Sequence, residues 1–244
     1  MKNIIFTIIL LFNAALASDT INSDFSDEFS DEKLEVFDPL SGYNRVMTSF
    51  NDKVYIYVFD PVTRGYKVVM PEVARTGVSN FFDNLLFPIR FVNNLLQFKF
   101  ENSAEELGRF LINSTFGLLG FMDPAGEQLG WEAHDEDFGQ TLGFYGVGSG
   151  FHIVLPILGP SNLRDTFGLV ADGYVSPLNN FGDKDLKYKI PNNDEQTIYI
   201  SSSKNVNKNS FHLGRYQDIK KDALDLYPFL RNIYEQKRKN EIKE

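Results

Sequence analysis

Three histidines are the residues of this chain whose types best suit acid–base or nucleophilic chemistry. His134, His152 and His212 lie far apart, and Ser149 with His152 is the near pair of a serine and a histidine that a hydrolase would use. The segment around this pair, GVGSG at Gly146 to Gly150, fits neither the nucleophile elbow G-x-S-x-G nor the dinucleotide motif G-x-G-x-x-G. The sequence therefore offers no convincing active site, and an exported lipid hydrolase is kept as an alternative.

Three acidic residues follow His134 directly: Asp135, Glu136 and Asp137. Oxygen-rich clusters can bind metal ions. A cluster without a helix-spaced partner, however, more often caps a helix or faces water. We therefore expect no catalytic residue, no metal and no cofactor.

These acids precede an uncharged stretch. Residues 138–163, 26 in all, contain no Asp, Glu, Lys or Arg but include six glycines and two prolines. The length could span a bilayer, yet glycine favours turns and an interior proline breaks a helix. One interpretation is irregular backbone that is buried in protein or lines a cavity at membrane depth. The other is a Gly-rich loop leading into a short buried strand, HIVLPIL, in an ordinary core, and composition alone favours this second interpretation.

Helical patterns on both sides of this stretch would hold it in place. Asp38-Pro39 predicts a helix start, after which apolar residues recur at intervals of three and four. Ser103 to Glu106 predicts a capping box at the start of another helix. The polar residues 182–210 predict an extended loop with one strand at residues 197–200, and a last helix begins near Arg215. The fold class predicted is mainly α, a compact bundle of amphipathic helices.

The N-terminal part of the chain predicts export. Residues 1–17 combine a lysine, an apolar run and a small-residue cleavage pattern, which is typical of a signal peptide. Residues 18–36 are rich in acid, which predicts a disordered tether, and residues 37–240 are expected to form a single domain. The net charge of −9 and the absence of a concentrated basic face argue against nucleic acid as a partner. The chain contains no cysteine, so it has no residue to acylate in the manner of a bacterial lipoprotein.

Several long blocks of the sequence resemble one family in consistent order. The chain resembles the MlaA family, also called VacJ, of outer-membrane-associated proteins of Gram-negative bacteria. The matching blocks are DPLSGYNRVMTSFND (38–52), RTGVSNFFDNLLFP (75–88), VNNLLQFKF (92–100), LGRFLINSTFGLLGFMDPA (107–125), HDEDFGQTLGFYGVGSGFHIVLPILGPSNLRD (134–165) and DALDLYPFLRNIYEQKR (222–238).

The resemblance implies a disc-like helical protein in the inner leaflet of the outer membrane, at its periplasmic face. It implies a non-enzymatic role in retrograde phospholipid transport, in which mislocalised phospholipid leaves the outer leaflet through an amphipathic channel and membrane asymmetry is maintained. Trimeric porins and a periplasmic lipid carrier are the partners it implies. Most family members are lipoproteins, so the missing cysteine leaves the mode of anchoring open. An exported structural envelope protein is the other alternative.

The resemblance also changes the interpretation of the uncharged stretch, which would border the lipid path. The path residues predicted on this basis are Gly139, Gly143, Phe144, Gly146, Val147, Gly148 and Gly150. A membrane-facing rim is predicted from two dense apolar stretches, with the residues Phe50, Phe81, Phe82, Leu85, Leu86 and Phe87. An equally simple interpretation of these rim side chains is that they pack against one another in a core.

Overall fold

The computed structural model describes residues 36–180 and 188–243, and over these ranges the protein is mainly α-helical, as predicted. The predicted signal peptide, residues 1–17, lies outside the described residues, as does the predicted tether of residues 18–36 apart from its last residue. The boundaries of the single domain, residues 37–240, stay a prediction.

The first helices form one continuous helical segment. Helix α1 (Ser41–Val54) leads through a π-helical turn (Tyr55–Phe59) into α2 (Asp60–Val69). Pro61 lacks an N–H group, and a π-helical turn is a common way to accommodate such an interruption. The prediction that Asp38 caps α1 is wrong, because the helix has no side-chain cap. Its carboxylate instead accepts hydrogen bonds from Asn44, Tyr227 and Arg231, and so ties the start of the described chain to its C-terminal helix.

The next three helices are α3 (Glu72–Leu85), α4 (Phe87–Leu96) and α5 (Phe100–Phe116). The predicted capping box at Ser103 is wrong, because α5 begins at Phe100 and Ser103 already lies within the helix. The Glu106 carboxylate reaches across the interior instead, 2.7 Å from Arg90 Nε and 2.7 Å from the backbone N of His134. The residues next to Glu106 in sequence do not reveal this ion pair, because its partner Arg90 lies on another helix.

The uncharged stretch folds into a short helix, a turn and a β-hairpin. After α6 (Pro124–Leu129), helix α7 (Phe138–Phe144) begins at a capping box in which Asp137 and Gln140 bond each other's backbone N–H groups. Strand β1 (His152–Leu155) pairs with antiparallel β2 (Gly159–Asn162), and α8 (Leu163–Val175) follows directly. The predicted buried strand in HIVLPIL is therefore present.

The C-terminal part contains three helices: α9 (Asp194–Asn209), α10 (Arg215–Asp222) and α11 (Leu226–Glu241). The predicted extended loop at 182–210, with a strand at 197–200, is wrong for its described residues from 194 onward, which are helical. The low hydrophobicity of the α9 sequence is what predicts a loop there. The buried residues of α9 are nevertheless polar, namely Thr197, Ser201, Asn205 and Asn207, because the interior it packs against is itself polar.

The usual distribution of polar and apolar side chains is inverted, with many polar ones buried and many apolar ones exposed. Among the described residues, the buried hydrophobic side chains are few, whereas the buried polar and charged ones include several asparagines, Glu106, Asp165 and Arg238. Large apolar side chains face outward instead: Val73 is 86% exposed and Phe116 is 75% exposed. Contiguous exposed apolar patches mark surfaces that contact another protein or a membrane. No helix within residues 36–180 and 188–243 combines the length and apolarity needed to cross a bilayer.

Candidate functional site

A cavity of about 580 Å³ lies between α3, α4, α5, α8, α9, α11 and the hairpin. Its volume is within the range of pockets that bind small organic ligands. The lining is amphipathic. Apolar side chains are contributed by Leu86, Ile89, Phe110, Leu155, Leu169 and Leu230, and charged ones by Asp83, Arg90, Asp165, Asp172, Lys204 and Arg238. A cavity of this composition suits an amphiphile with a polar head and apolar chains.

Arg238 of α11 holds one charged wall of the cavity together. Its guanidinium lies 2.8 Å from Asp137, 2.9 Å from Asp165 and 2.9 Å from Glu241. The Tyr234 hydroxyl donates a hydrogen bond of 2.7 Å to Asp165. Burial opposes ionisation of Asp165, but the adjacent Arg238 charge and its hydrogen bonds outweigh burial and lower the pKa of that carboxyl. Asp165 is therefore ionised and paired with Arg238, and the contacts of Arg238 link α7, α8 and α11.

Asp172 also lines the cavity, but its pKa is raised, whereas the pKa of Asp165 is lowered. Burial, together with the negative charge of Asp137, raises its pKa to about 7. It accepts hydrogen bonds from the backbone N of Phe138 at 3.0 Å and from Asn93 Nδ2 at 2.9 Å. The carboxyl of Asp172 is consequently divided between its protonated and ionised forms near neutral pH.

Two further ion pairs neutralise cavity charges. Arg90 Nε lies 2.7 Å from Glu106 Oε2, and Arg109 Nη2 lies 2.9 Å from Asp123 Oδ2. Both arginines are largely buried, and buried charges persist only when they are paired. Arg90 interrupts the otherwise uncharged sequence FPIRFVNNLL, and this is the one signal that could have indicated an inward-facing charge on α4.

The seven predicted path residues lie in α7 and in the turn between α7 and β1, and none of them lines the cavity. Gly139 and Gly143 are packing positions: an added Cβ would lie 2.7 Å from Arg238 Nη2 at Gly139, and 2.6 Å from Ile242 Cδ1 at Gly143. Gly146 and Gly150 have φ of 81° and 72°, which side chains other than glycine rarely adopt. Gly148 has open space around it. Phe144 and Val147 are exposed, and a lipid path beside this turn stays a prediction.

The predicted rim residues differ in their exposure. Phe50 is exposed, whereas the other five are partly buried, and one of these, Leu86, also lines the cavity. Phe81 stacks on Phe121 at 4.8 Å and Phe87 on Phe110 at 4.5 Å. These rings pack against neighbours while keeping part of their surface exposed, so their contact with lipid stays a prediction.

One strongly exposed apolar segment is not among the predicted rim residues. Leu118 and Leu119 have positive φ values of 54° and 62°, unusual for leucine, and both project outward next to Phe116 and Met122. The uncharged sequence FLINSTFGLLGFM was the available signal. Exposed apolar side chains that follow one another along the chain suit contact with lipid rather than water.

The near pair Ser149 and His152 is not joined by a hydrogen bond in the described chain. His152 is fully buried, and its Nδ1 lies 2.7 Å from Glu235 Oε1. Asp137, from the acidic cluster after His134, caps α7. Across the residues that the structure describes, no group of three His, Cys, Asp or Glu side chains is arranged to hold a metal ion.

Comparison with known proteins gives consistent matches. The family model described as "MlaA lipoprotein" matches residues 36–241. An uncharacterized protein of Rickettsia bellii is 31% identical over 209 residues, which cover 85% of this chain and 78% of that protein. The "Intermembrane phospholipid transport system lipoprotein MlaA" of Escherichia coli is 40% identical over 146 residues, 58% of this chain and 57% of that protein.

Coverage of these relatives is uneven. The match to an uncharacterized protein of Rickettsia prowazekii, 36% identical, spans 58% of that protein, less than two thirds of its length. A solved structure described as "Structural basis for maintenance of bacterial outer membrane lipid asymmetry" aligns with a TM-score of 0.68 at 29% identity. That alignment covers 84% of this chain and 98% of the solved one, so the whole fold of the solved chain is shared.

Proposed function

This chain belongs to the MlaA lipoprotein family, and we propose that it is the outer-membrane component of a retrograde phospholipid transport system. In this role it removes mislocalised phospholipid from the outer leaflet and maintains the lipid asymmetry of the outer membrane. The observation that carries the proposal is the amphipathic cavity of about 580 Å³ inside a protein whose surface is apolar and whose interior is polar.

The inverted polarity supports a position within a lipid layer. Exposed side chains such as Val73 and Phe116 lose nothing when they contact acyl chains, whereas in water each would carry the full cost of apolar hydration. The protein then sits at the periplasmic face of the outer membrane, embedded in its inner leaflet by apolar helix faces. A trimeric porin and a periplasmic lipid carrier are the proposed partners.

The cavity lining supports passage of a phospholipid through the protein. The head group stays among polar side chains while the acyl chains contact residues such as Leu155, Leu169 and Leu230. Arginines that are already paired with carboxylates, as Arg90 is with Glu106, present little net charge to the moving lipid. The lipid is therefore held by weak and distributed contacts, which allow it to leave again.

A blocked cavity tests this proposal. Leu169→Trp places a larger side chain in the cavity, whereas Phe167→Trp, on the exposed face of the same helix, is the matched control. Each variant is expressed in cells of the source organism that lack the gene, and phosphatidylethanolamine in the outer leaflet is labelled with a membrane-impermeant amine reagent. The wild type and Phe167→Trp should lower the labelling to the normal value, and Leu169→Trp should not.

Two results would contradict the proposal. If loss of the gene leaves outer-leaflet labelling unchanged, the protein does not remove phospholipid from that leaflet. If a well-expressed, folded Leu169→Trp variant lowers labelling as well as the wild type does, the lipid does not pass through this cavity.

A further inference from the structure

One face of α5 is exposed and uncharged from end to end. Five exposed residues recur there at intervals of three and four, so they lie on the same side of the helix. This face, which we term the α5 strip, consists of Phe100, Ala104, Leu107, Leu111 and Thr115. The other sides of α5 pack against α3, α4 and α6. The strip is therefore a surface that the described chain leaves uncovered.

The turns at both ends of α5 extend this apolar surface. Phe98, before the helix, and Leu118 and Leu119, after it, have positive φ values of 62°, 54° and 62°. Residues other than glycine rarely adopt such values, and here these three side chains are 62%, 66% and 72% exposed. Residues 110–122 also contain no charged side chain. Strained backbone that exposes large apolar groups is favoured by apolar surroundings and disfavoured by water.

One flank of the strip is polar and contains the single tryptophan. Glu101 is exposed, and the Glu105 carboxylate lies 2.5 Å from Nε2 of His134. The Trp131 ring lies on the same flank against Gly108, where an added Cβ would be 2.5 Å from Cζ3 of the ring. Tryptophan is enriched where the head groups of a membrane meet its hydrocarbon, and carboxylates avoid the hydrocarbon itself. This flank therefore fits the head-group region of a membrane.

The opposite flank of the strip is apolar. Phe110 stacks on Phe87 of α4, with ring centroids 4.5 Å apart. Phe91 and Leu95 follow Phe87 on the same face of α4 at intervals of four, and Leu95 is 37% exposed. The surface thus changes across α5 from a charged flank to an apolar one. A helix with such a pattern, and with apolar turns at both ends, is suited to lie in the plane of a membrane surface.

The length of α5 supports the same orientation. Its 17 residues extend for about 25 Å at about 1.5 Å per residue. The hydrocarbon of one leaflet is about 15 Å thick, half of the hydrocarbon core. An upright α5 in one leaflet would therefore place one of its apolar end turns among head groups or in water. A helix in the membrane plane keeps both end turns and the whole strip in hydrocarbon.

We propose that α5 is an interfacial membrane helix, whose strip and end turns lie in the acyl region of one leaflet while the flank with Glu101 and Trp131 lies at the head groups. The occupant of the α5 strip is thus a lipid layer rather than a protein. This inference rests on the proposed function, since it assigns the surface by which a protein embedded in one leaflet contacts that leaflet.

Depth measurements in a membrane without other proteins test the inference. The chain has no cysteine, so one spin label can be attached to each of five single variants. These are Phe100→Cys, Leu107→Cys and Leu111→Cys on the strip, Glu101→Cys on its polar flank, and Asp222→Cys on α10 as the reference in water; all five side chains are exposed. The labelled full chain is reconstituted into vesicles of palmitoyl-oleoyl phosphatidylethanolamine and phosphatidylglycerol. Collision rates with oxygen and with a water-soluble nickel chelate then give the depth of each label.

The in-plane and upright orientations predict different depths. Phe100 and Leu111 are 11 residues apart, which is about 16 Å along a helix. In the plane, the three strip labels should lie in hydrocarbon at depths within about 5 Å of one another, the radius of a helix with its side chains. The Glu101 label should be closer to the water than all three. An upright helix would instead separate Phe100 from Leu111 by nearly the full distance.

A charge on the strip gives a second, independent measurement. Leu111→Asp should lower partitioning into the same vesicles at least about tenfold, because a carboxylate in hydrocarbon is costly. Its Tm in detergent should not change, since the side chain is exposed. The matched control is Leu224→Asp, which alters a fully exposed leucine between Asp222 and Asp225 and should partition like the wild type.

Several outcomes would overturn the inference while the proposed function stands. These are strip labels spread over about 16 Å, strip labels as accessible to the nickel chelate as the Asp222 label, or unchanged partitioning of a folded Leu111→Asp variant. Strip labels that are accessible in vesicles but shielded in native outer membranes would show that a protein covers the strip, which also overturns the inference. If the wild type does not bind the vesicles at all, the proposed position in a lipid layer fails as well.

Discussion

The crossing of α7 and α8 is so close that one added methyl group should destabilise the protein. At Gly168 an added Cβ would lie 2.5 Å from the backbone N of Gly139 and 2.9 Å from its Cα. Real Cβ atoms do not approach backbone this closely, and backbone cannot rotate away as a flexible side chain can. The Gly168→Ala variant must therefore force the two helices apart, and α7 and α8 would lose contact along their length.

The magnitude follows from overpacking, which typically costs about 1–3 kcal/mol. We expect the upper half of that range, about 2–3 kcal/mol, because the clash is with main chain. For a protein of this size about 1 kcal/mol corresponds to roughly 2–4 °C in Tm. The Gly168→Ala variant should then unfold roughly 4–12 °C below the wild type.

Thermal unfolding in detergent, followed by circular dichroism at 222 nm, measures this loss of stability. Alanine variants at two other glycines serve as comparisons. Gly148→Ala, with open space and no positive φ, should unfold within about 2 °C of the wild type. Gly146→Ala also has open space but a φ of 81°, so it should lose about 1 kcal/mol to backbone strain alone. A Gly168→Ala protein as stable as Gly148→Ala would refute the close helix crossing.

Three further predictions concern lipid passage, membrane contact and pH. Gly148→Leu should leave helix content and Tm nearly unchanged, because Gly148 has open space around it, and it should stop lipid passage only if the path also borders this turn; transport at the wild-type rate by the folded variant would confine the path to the cavity. Phe116→Lys should keep its Tm in detergent but lose membrane partitioning, since a lysine in hydrocarbon costs a few kcal/mol. Phe87→Lys should lose both, because its ring stacks on Phe110; an unchanged Tm there would show that this stacking adds no stability. Asp172, with a pKa of about 7 when folded and 3.8 as the reference value, binds its proton more tightly in the folded state, so stability should fall as pH rises from 4 to 7; Asp172→Asn should remove that fall in Tm, and an unchanged pH profile would contradict the raised pKa.

The helical class and the order of the family blocks could be predicted because they depend on local apolar periodicity and on long matching segments. The strand at His152–Leu155 was also visible in the sequence. Helix α9 was not, because a polar sequence normally indicates a loop. In an inverted protein, Thr197 and Asn205 are buried because they face polar groups. A rule that equates burial with hydrophobicity therefore fails where the surroundings of the protein are apolar.

The cavity itself could not be predicted, since its charged residues come from distant parts of the chain. Arg238 meets Asp137 and Asp165 only after α7, α8 and α11 have packed together. The Gly-rich stretch is the lipid path that the family resemblance implies, and this stays a prediction. The composition of this stretch indicates that Gly139 needs to be small, but it cannot show that an added Cβ there would meet the Asp165–Arg238 ion pair.

The most direct test of the central claim is the lipid that remains bound after gentle extraction. Native mass spectrometry of the protein taken from its own membrane, compared with Leu169→Trp and Phe167→Trp prepared in parallel, measures occupancy of the cavity. We predict a bound phospholipid on the wild type and on Phe167→Trp, and its loss from a folded Leu169→Trp protein. Wild-type protein that carries no phospholipid, or a Leu169→Trp protein that retains it fully, would contradict the claim that this cavity holds the transported lipid.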